Sequence, residues 1–195
     1  MDHLTTEAIL EAPPMSARPV AASMNDFLAS IEKRAFRMAE FALQHREDAL
    51  DAVQDAMFRL ARNYRHHPAE EWTPLFWSIL RRRITDQYRR RKVRSIMVGW
   101  LQPSVRHQET TAVVWDPPSN DPGPAQRHAD EMALVRLGEA IRSLPRRQAE
   151  TFMLRVLEGL NVAVTAQAMG CSQGSVKTHL SRALHTLRKQ LEDWS

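Results

Sequence analysis

The stretch that decides the fold runs from residue 160 to residue 191 and reads LNVAVTAQAMGCSQGSVKTHLSRALHTLRKQL. A short apolar helix is predicted over residues 162–169, and Gly170 suits the left-handed backbone of the tight turn that follows. Ser172 can then cap a longer helix. Helical spacing predicts its buried face as Val176, Leu180, Ala183, Leu184 and Leu187. This arrangement is typical of a helix-turn-helix, whose second helix reads the major groove of DNA.

The outward face of the second helix carries small hydroxyl side chains and two cations. These candidate DNA-contacting residues are Ser175, Lys177, Thr178, Ser181 and Arg182. Small side chains let the helix backbone approach the duplex, while the cations pair with phosphates or base edges. The alternative is a plain helical hairpin with a polar, solvated side. The coincidence of a cap, a glycine turn and a basic, hydroxyl-rich face favours DNA binding.

A second basic stretch, RRRITDQYRRRKVR (81–94), holds eight cations and one carboxylate. Thr73 and Pro74 predict the start of its helix, which we expect to run to about Lys92. Cations beside aromatic rings are typical of single-stranded nucleic-acid binding. A solvated charge run remains the alternative for the cations, and core packing for Phe76 and Trp77. The candidate residues are Trp72, Trp77, Arg82, Arg83, Asp86, Arg89 and Arg90. Tyr88 has two expected roles: it belongs to the apolar stripe that docks this helix on its own domain, and with Trp72, Phe76 and Trp77 it is one of the aromatic rings beside the cations.

An earlier helix, DALDAVQDAMFRL (48–60), carries an acidic edge. Its candidate residues are Asp48, Asp51, Asp55 and the neighbouring Phe58, which is expected to be exposed. Leu50, Val53, Met57 and Leu60 are expected to face inward. Because carboxylates repel DNA, a basic protein partner is the natural interpretation. The alternative is a solubilising face.

The charge and proline patterns divide the chain of 195 residues into four parts. Residues 1–24 are an Ala/Pro/Ser-rich tail expected to be disordered, and residues 98–130 form a proline-rich, acidic linker. Between and after them, residues 25–97 and 131–195 form two small basic domains with only helical periodicity. The sequence therefore predicts an all-α fold of two domains, the second containing the helix-turn-helix.

The composition also excludes several classes of protein. The single cysteine, Cys171, excludes an internal disulfide framework and suits the reducing cytosol. No apolar run is long enough to span a bilayer, and the N-terminus lacks the basic start of a signal peptide. No set of residues suggests catalysis, a cofactor or a metal site. We expect a cytoplasmic protein that is not an enzyme.

Taken together, three stretches resemble the extracytoplasmic-function sigma factors, the smallest members of the sigma-70 family. The helix DALDAVQDAMFRL (48–60) resembles the helix by which the family binds the polymerase clamp. LFWSILRRRITDQYRRRKVR (75–94) resembles the helix that meets the promoter −10 element and supports melting. LPRRQAETFMLRVLEGLNVAVTAQAMGCSQGSVKTHLSRAL (144–184) is similar to the domain that reads the −35 element.

The resemblance implies that core RNA polymerase and promoter DNA are partners, with an anti-sigma protein as a further candidate and no cofactor. It assigns region 2 of the family to residues 25–97 and region 4 to residues 131–195. Two positions depart from the family pattern. Arg82 stands where an asparagine is usual in the melting helix, and Val164 stands near a usual acidic residue.

Two competing functions remain open. A stand-alone helix-turn-helix regulator explains residues 131–195 but gives no joint purpose to the acidic edge and the arginine run. A helical nucleic-acid enzyme requires clustered acids or metal ligands beside the basic helix, and Asp86 alone does not supply them.

Overall fold

The computed structural model describes residues 23–99 and 124–192, with side chains described over 23–90 and 132–192. Every regular element in these ranges is a helix, which confirms the predicted all-α fold. In chain order the helices are α1 (Met24–Leu43), α2 (Arg46–Tyr64), α3 (Ala69–Gly99), α4 (Pro124–Ser143), α5 (Arg146–Phe152), a short π-helix (Met153–Leu157), α6 (Val162–Met169) and α7 (Gln173–Glu192).

The first three helices pack against one another around alanine and aromatic side chains. α1 buries a stripe with a spacing of four residues: Phe27, Ile31, Ala35, Ala39 and Leu43. α2 buries Ala49, Ala52, Val53, Ala56 and Leu60. The alanines leave room that α3 fills with Trp72, Phe76, Trp77 and Leu80. Small and large side chains thus alternate across the interface, as close packing requires.

Aromatic contacts tie α1 to α3. The ring of Phe27 lies 5.9 Å from that of Trp72 and 6.2 Å from that of Phe76, measured between centroids. Phe76 and Trp77 meet edge to face at 5.4 Å. Such pairs each contribute about 0.5–1.5 kcal/mol beyond the burial of their area. This cluster therefore sets where α3 crosses its neighbours.

α3 begins at Ala69, earlier than Thr73, which the sequence predicts as its cap. Pro74 consequently lies inside the helix, where it has no N–H to donate to the preceding turn. The indole N–H of Trp72 donates to the carbonyl of Tyr64 at 3.2 Å, which holds the first turn against the core. The helix that buries Trp72 therefore starts one turn before the start that Thr73 and Pro74 predict.

The second half of the chain packs α5 and α4 against α7. α4 begins at Pro124, inside the predicted linker, with proline at the favoured first helical position. The single helix predicted over 146–158 is instead α5 followed by the π-helix, in which the N–H of Glu158 donates to the carbonyl of Met153 at 3.0 Å. Ser143 at the end of α4 and Gln190 near the end of α7 are joined by hydrogen bonds. The amide Nε2–H of Gln190 donates to the Ser143 hydroxyl at 3.0 Å, and that hydroxyl lies 3.2 Å from Oε1 of Gln190.

Contacts divide the described chain into two compact units. The N-terminal unit contains residues 23–99 together with Ala163–Cys171, and the C-terminal unit contains residues 124–162 and 172–192. The sequence predicts instead that everything after residue 131 forms one domain. Within the N-terminal unit, Nε of Arg81 donates to the carbonyl of Ala168 at 3.4 Å.

The predicted tail and linker lie mostly outside the described residues. Of the tail only residues 23 and 24 are described, and there Ser23 caps α1 by accepting from the N–H of Asp26 at 3.2 Å. Of the linker, residues 100–123 lie outside the described ranges. Among the helices that are described, none is long and apolar enough to cross a membrane.

The turn between α6 and α7 has the predicted local geometry. Gly170 adopts a φ of 62°, in the left-handed region, and the N–H of Cys171 donates to the carbonyl of Ala166 at 3.1 Å. Ser172 then caps α7, its hydroxyl accepting from the N–H of Ser175 at 3.1 Å. The backbone reversal and the cap are therefore both supplied by residues that the sequence singles out.

Two glycines close to this turn should respond oppositely to alanine. Gly170→Ala should lower stability by about 1–2 kcal/mol, because a side chain disfavours the left-handed conformation even though no atom lies within 4 Å of the new Cβ. Gly174→Ala should raise stability by about 0.5–1 kcal/mol, since its Cβ meets only Ser172 Oγ at 3.8 Å and alanine favours helix. Urea unfolding measures both, and equal effects of the two substitutions would contradict the assigned turn.

Candidate polymerase-binding and nucleic-acid-binding surfaces

The acidic edge of α2 consists of Asp48, Asp51, Asp55 and Phe58; Asp51 and Phe58 face solvent, whereas Asp48 and Asp55 are half-buried beside the buried stripe. Phe58 is 63% exposed, and Asp51 beside it is exposed. Leu50 is 40% exposed, so the prediction that it faces inward is wrong. The reason is geometric: the alanine stripe already fills the contact with α1, and Leu50 lies at the margin of that stripe. An exposed aromatic and an exposed leucine thus flank the carboxylates.

The carboxylates of the acidic edge differ in their partners. Asp48 lies near the α2 cap, with its Oδ1 3.9 Å from Nδ1 of His45. Asp55 forms ion pairs with Arg59 of the same helix and with Arg83 of α3. Within the described part of the chain, Asp51 forms no ion pair. It is therefore the carboxylate most available to an external cation.

The basic arm, residues 81–94 of α3, continues the helix past its buried portion. Leu80 is fully buried, whereas none of residues 81–90 is. Three of the predicted DNA-contacting cations are exposed: Arg82, Arg89 and Arg90. Arg83 and Asp86 are half-buried. The exposed cations lie on two adjoining sides of the helix, Arg82 and Arg89 on one and Arg90 on the next, where they can pair with nucleic-acid phosphates.

The aromatic residues of α3 are placed differently from the stacking prediction. Trp72 and Trp77 are buried, with 7% and 1% of their surfaces exposed, so neither ring offers a free face to a base. Both Trp72 and Trp77 therefore pack in the core, which is the alternative that the sequence leaves open for Trp77. Tyr88, expected to dock the helix on its own domain, is 60% exposed. It lies two turns beyond Leu80, where the core has ended. Tyr88 is therefore the aromatic side chain that accompanies the exposed cations.

The predicted recognition helix α7 buries Val176, Leu180, Ala183 and Leu187, while Leu184 is half-buried. The remaining face exposes Lys177, Thr178, Ser181 and Arg182. Lys177 and Ser181 are four residues apart, as are Thr178 and Arg182, so the face consists of two adjacent rows, each with one cation.

Near the start of α7 several groups have local partners. Ser175 is half-buried, and its hydroxyl lies 2.9 Å from that of Ser172 at the cap. The hydroxyl of Thr178 donates to the carbonyl of Gly174 at 3.0 Å and keeps its acceptor lone pairs for a donor such as a base amino group. Gly174, which the sequence prediction did not include, is exposed. With no side chain, it allows a phosphate backbone to approach α7 closely.

A buried arginine supports the turn that precedes α6 and was missed from sequence. Arg155 of the π-helix donates through a guanidinium N–H to the carbonyl of Leu160. Burial lowers the pKa of the Arg155 guanidinium. Periodicity could not identify it, because a π-helix shifts every following side chain off the α-helical register. Among the described residues, no group of His, Cys, Asp or Glu could hold a metal ion.

Comparison with known proteins gives consistent matches. The family model described as sigma-70, region 4, matches residues 134–187. The RNA polymerase sigma-E factor of Streptomyces antibioticus is 32% identical over 145 residues, covering 74% of this chain and 71% of that protein. The ECF RNA polymerase sigma factor SigE of Mycolicibacterium smegmatis is 25% identical over 202 residues, covering 99% and 68%.

The fold is also similar to that of a solved structure. The sigma factor RpoE of Bartonella quintana, in complex with the anti-sigma factor NepR, aligns with a TM-score of 0.64 at 20% identity. The alignment covers 86% of this chain and 96% of that one. At this identity the match concerns the fold alone.

Proposed function

The chain belongs to the extracytoplasmic-function sigma factors of the sigma-70 family, and we propose that it recruits core RNA polymerase to promoters and promotes strand opening there. In this proposal the acidic edge binds polymerase, the basic arm contacts the −10 region, and α7 reads the −35 element. The observation that carries it is the presence of the acidic edge and the basic arm in one compact unit. A stand-alone regulator requires only the α7 surface.

Polymerase binding is assigned to Asp48, Asp51 and Phe58. A carboxylate next to an exposed aromatic suits a basic protein surface with an apolar centre, because the charges steer the encounter and the ring supplies buried area. Asp55 lies on the same edge, but its carboxylate already pairs with two arginines.

Strand opening is assigned to the basic arm. Arg82, Arg89 and Arg90 are exposed and can pair with phosphates, while Tyr88 offers a ring on which an unpaired base can stack. A sigma factor of this kind holds melted strands without any catalytic step, so no cofactor is required. Its site of action is proposed to be the cytoplasm, with the polymerase.

Reading of the −35 element is assigned to Ser175, Lys177, Thr178, Ser181 and Arg182 of α7. An anti-sigma protein is a further proposed partner, supported by the complex in which RpoE of Bartonella quintana was solved. We expect such an anti-sigma protein to bind the acidic edge, the basic arm or the exposed face of α7, because a partner that covers them competes with polymerase or DNA.

Charge reversal on the acidic edge should weaken polymerase binding. Asp51→Lys should cost about 1–3 kcal/mol of affinity, because it removes an attractive contact and adds a repulsive one. Glu32→Lys on α1 is the matched control, since Glu32 is also exposed and in the same unit. Binding to core polymerase, measured by fluorescence anisotropy, checks this. Equal losses in both variants would remove the role of Asp51, and a parent chain that does not bind polymerase would favour the stand-alone regulator.

Removal of the exposed ring on the basic arm should impair opening without impairing folding. Tyr88→Ala should cost about 1–3 kcal/mol of open-complex stability, the usual worth of one stacked base. Tyr88→Phe should retain most of it. Trp77→Ala should instead lower the stability of the protein by about 3–5 kcal/mol. Permanganate reactivity of unpaired thymines, compared with thermal melting of the protein, separates the two effects. Full reactivity in Tyr88→Ala would place the stacking surface elsewhere.

The two cations of α7 should have distinguishable roles. Arg182→Ala should cost about 1–3 kcal/mol and relax preference at one base pair if its guanidinium reads a base edge. Lys177→Ala should weaken all sequences alike and reduce the salt slope by about one, as loss of one phosphate contact does. Lys189→Ala, near the far end of α7, is the control. The test is holoenzyme binding to promoters with single changes in the −35 element, and parent-like behaviour of both variants would exclude α7 as the reader.

A further inference from the structure

Asp55, one of the carboxylates of the acidic edge, forms ion pairs within the chain. Nε of Arg59 lies 3.3 Å from both carboxylate oxygens of Asp55. Nε of Arg83, on α3, forms an ion pair with Oδ2 of the same carboxylate. Asp55 therefore joins the helix that carries the acidic edge to the helix that carries the basic arm.

Arg83 lies on the same side of α3 as Arg90, which follows two turns later, yet its side chain pairs with α2 instead of reaching solvent. Its side chain is only 19% exposed, whereas Arg82, Arg89 and Arg90 are all exposed. A cation that contacts a phosphate backbone must reach solvent before DNA arrives. Among the predicted DNA-contacting arginines of the arm, Arg83 is thus the one committed to an internal contact.

The ion pair lies near the base of the arm, where a change in helix direction moves all that follows. Leu80 is fully buried, and Arg83 follows it by about one turn. From Arg83 to Gly99 the helix extends about 24 Å at about 1.5 Å per residue. A tilt of about 10° at this point would move the far end by about 4 Å, more than a hydrogen-bond length.

We propose that Asp55 and Arg83 are positioning residues that act through each other, their ion pair setting the direction in which the basic arm leaves the acidic edge. Neither side chain is then a direct ligand of polymerase or of DNA. The inference rests on the proposed function, because the direction of the arm matters only if polymerase and DNA are held together. From the sequence, Asp55 is predicted to contact a protein partner and Arg83 to contact DNA.

A double-mutant cycle on reconstituted holoenzyme tests the proposal. Asp55→Asn and Arg83→Gln should each lower open-complex formation by about threefold to tenfold while changing polymerase affinity by less than about twofold. The double variant should be no worse than the more defective single variant, because the Asp55–Arg83 pair is lost in all three and the Arg59 pair is lost with Asp55 whether or not Arg83 is changed. Arg82→Gln is the contrast: combined with Asp55→Asn, its effect should add, since Arg82 makes an independent contact.

Restoration of the ion pair in reverse provides the second measurement. Asp55→Lys with Arg83→Glu should recover most of the lost opening when made in an Arg59→Gln background, which removes the cation that would repel Lys at position 55. If Asp55 instead contacted polymerase and Arg83 contacted DNA, the swapped variant would not recover opening, because it would place a wrong charge against both partners. Thermal melting of each variant shows that the unit remains folded.

Additive losses in the double variant, a polymerase-binding defect confined to Asp55→Asn, or failure of the reversed pair to restore opening would each overturn the proposal. Parent-like opening in both single variants would also overturn it. Failure of the proposed function looks different, because the unmodified chain itself would then neither bind core polymerase nor open a promoter.

Discussion

Trp72, Phe76, Trp77 and Leu80 of α3 are enclosed by the alanine-rich stripes of α1 and α2. Burying large side chains of this kind contributes about 1.5–3 kcal/mol each. The same burial orients both functional faces of the unit. With its alanine side covered, α2 turns Asp51 and Phe58 outward, and α3 has its last fully buried described side chain at Leu80, after which the basic arm begins.

The acidic edge and the basic arm lie on adjacent helices of one unit, so their opposite charges attract each other. Carboxylates near an arginine-rich helix attract its cations and can mask both surfaces from external partners. Asp55 takes part in this attraction by pairing with Arg59 and with Arg83 of the basic arm. Asp51 and Arg82 remain exposed on their separate faces. Asp51 and Arg82 are thus open to intermolecular contacts while Asp55 and Arg83 engage each other.

The C-terminal surface depends more on backbone geometry than on long-range packing. The left-handed conformation of Gly170 reverses the chain, and the Ser172 cap starts α7 at a defined residue. From that start the helical repeat alone places Lys177 and Arg182 on the exposed side. The π-helix and the Arg155 bond to the Leu160 carbonyl lie upstream, where they hold the segment that leads into α6.

The all-α fold, the turn at Gly170, the cap at Ser172 and the exposed face of α7 could all be predicted from sequence, because each depends on local backbone preference or on a repeat within one helix. The resemblance to the sigma-70 family predicted the order along the chain of the polymerase-binding, −10 and −35 surfaces. Tertiary structure alone decided which aromatic rings are free: Trp72 and Trp77 are core, whereas Tyr88 is exposed. It also decided that Asp55 meets Arg83. Both outcomes depend on where neighbouring helices cross and where the core ends, and the periodicity of a single helix does not encode either.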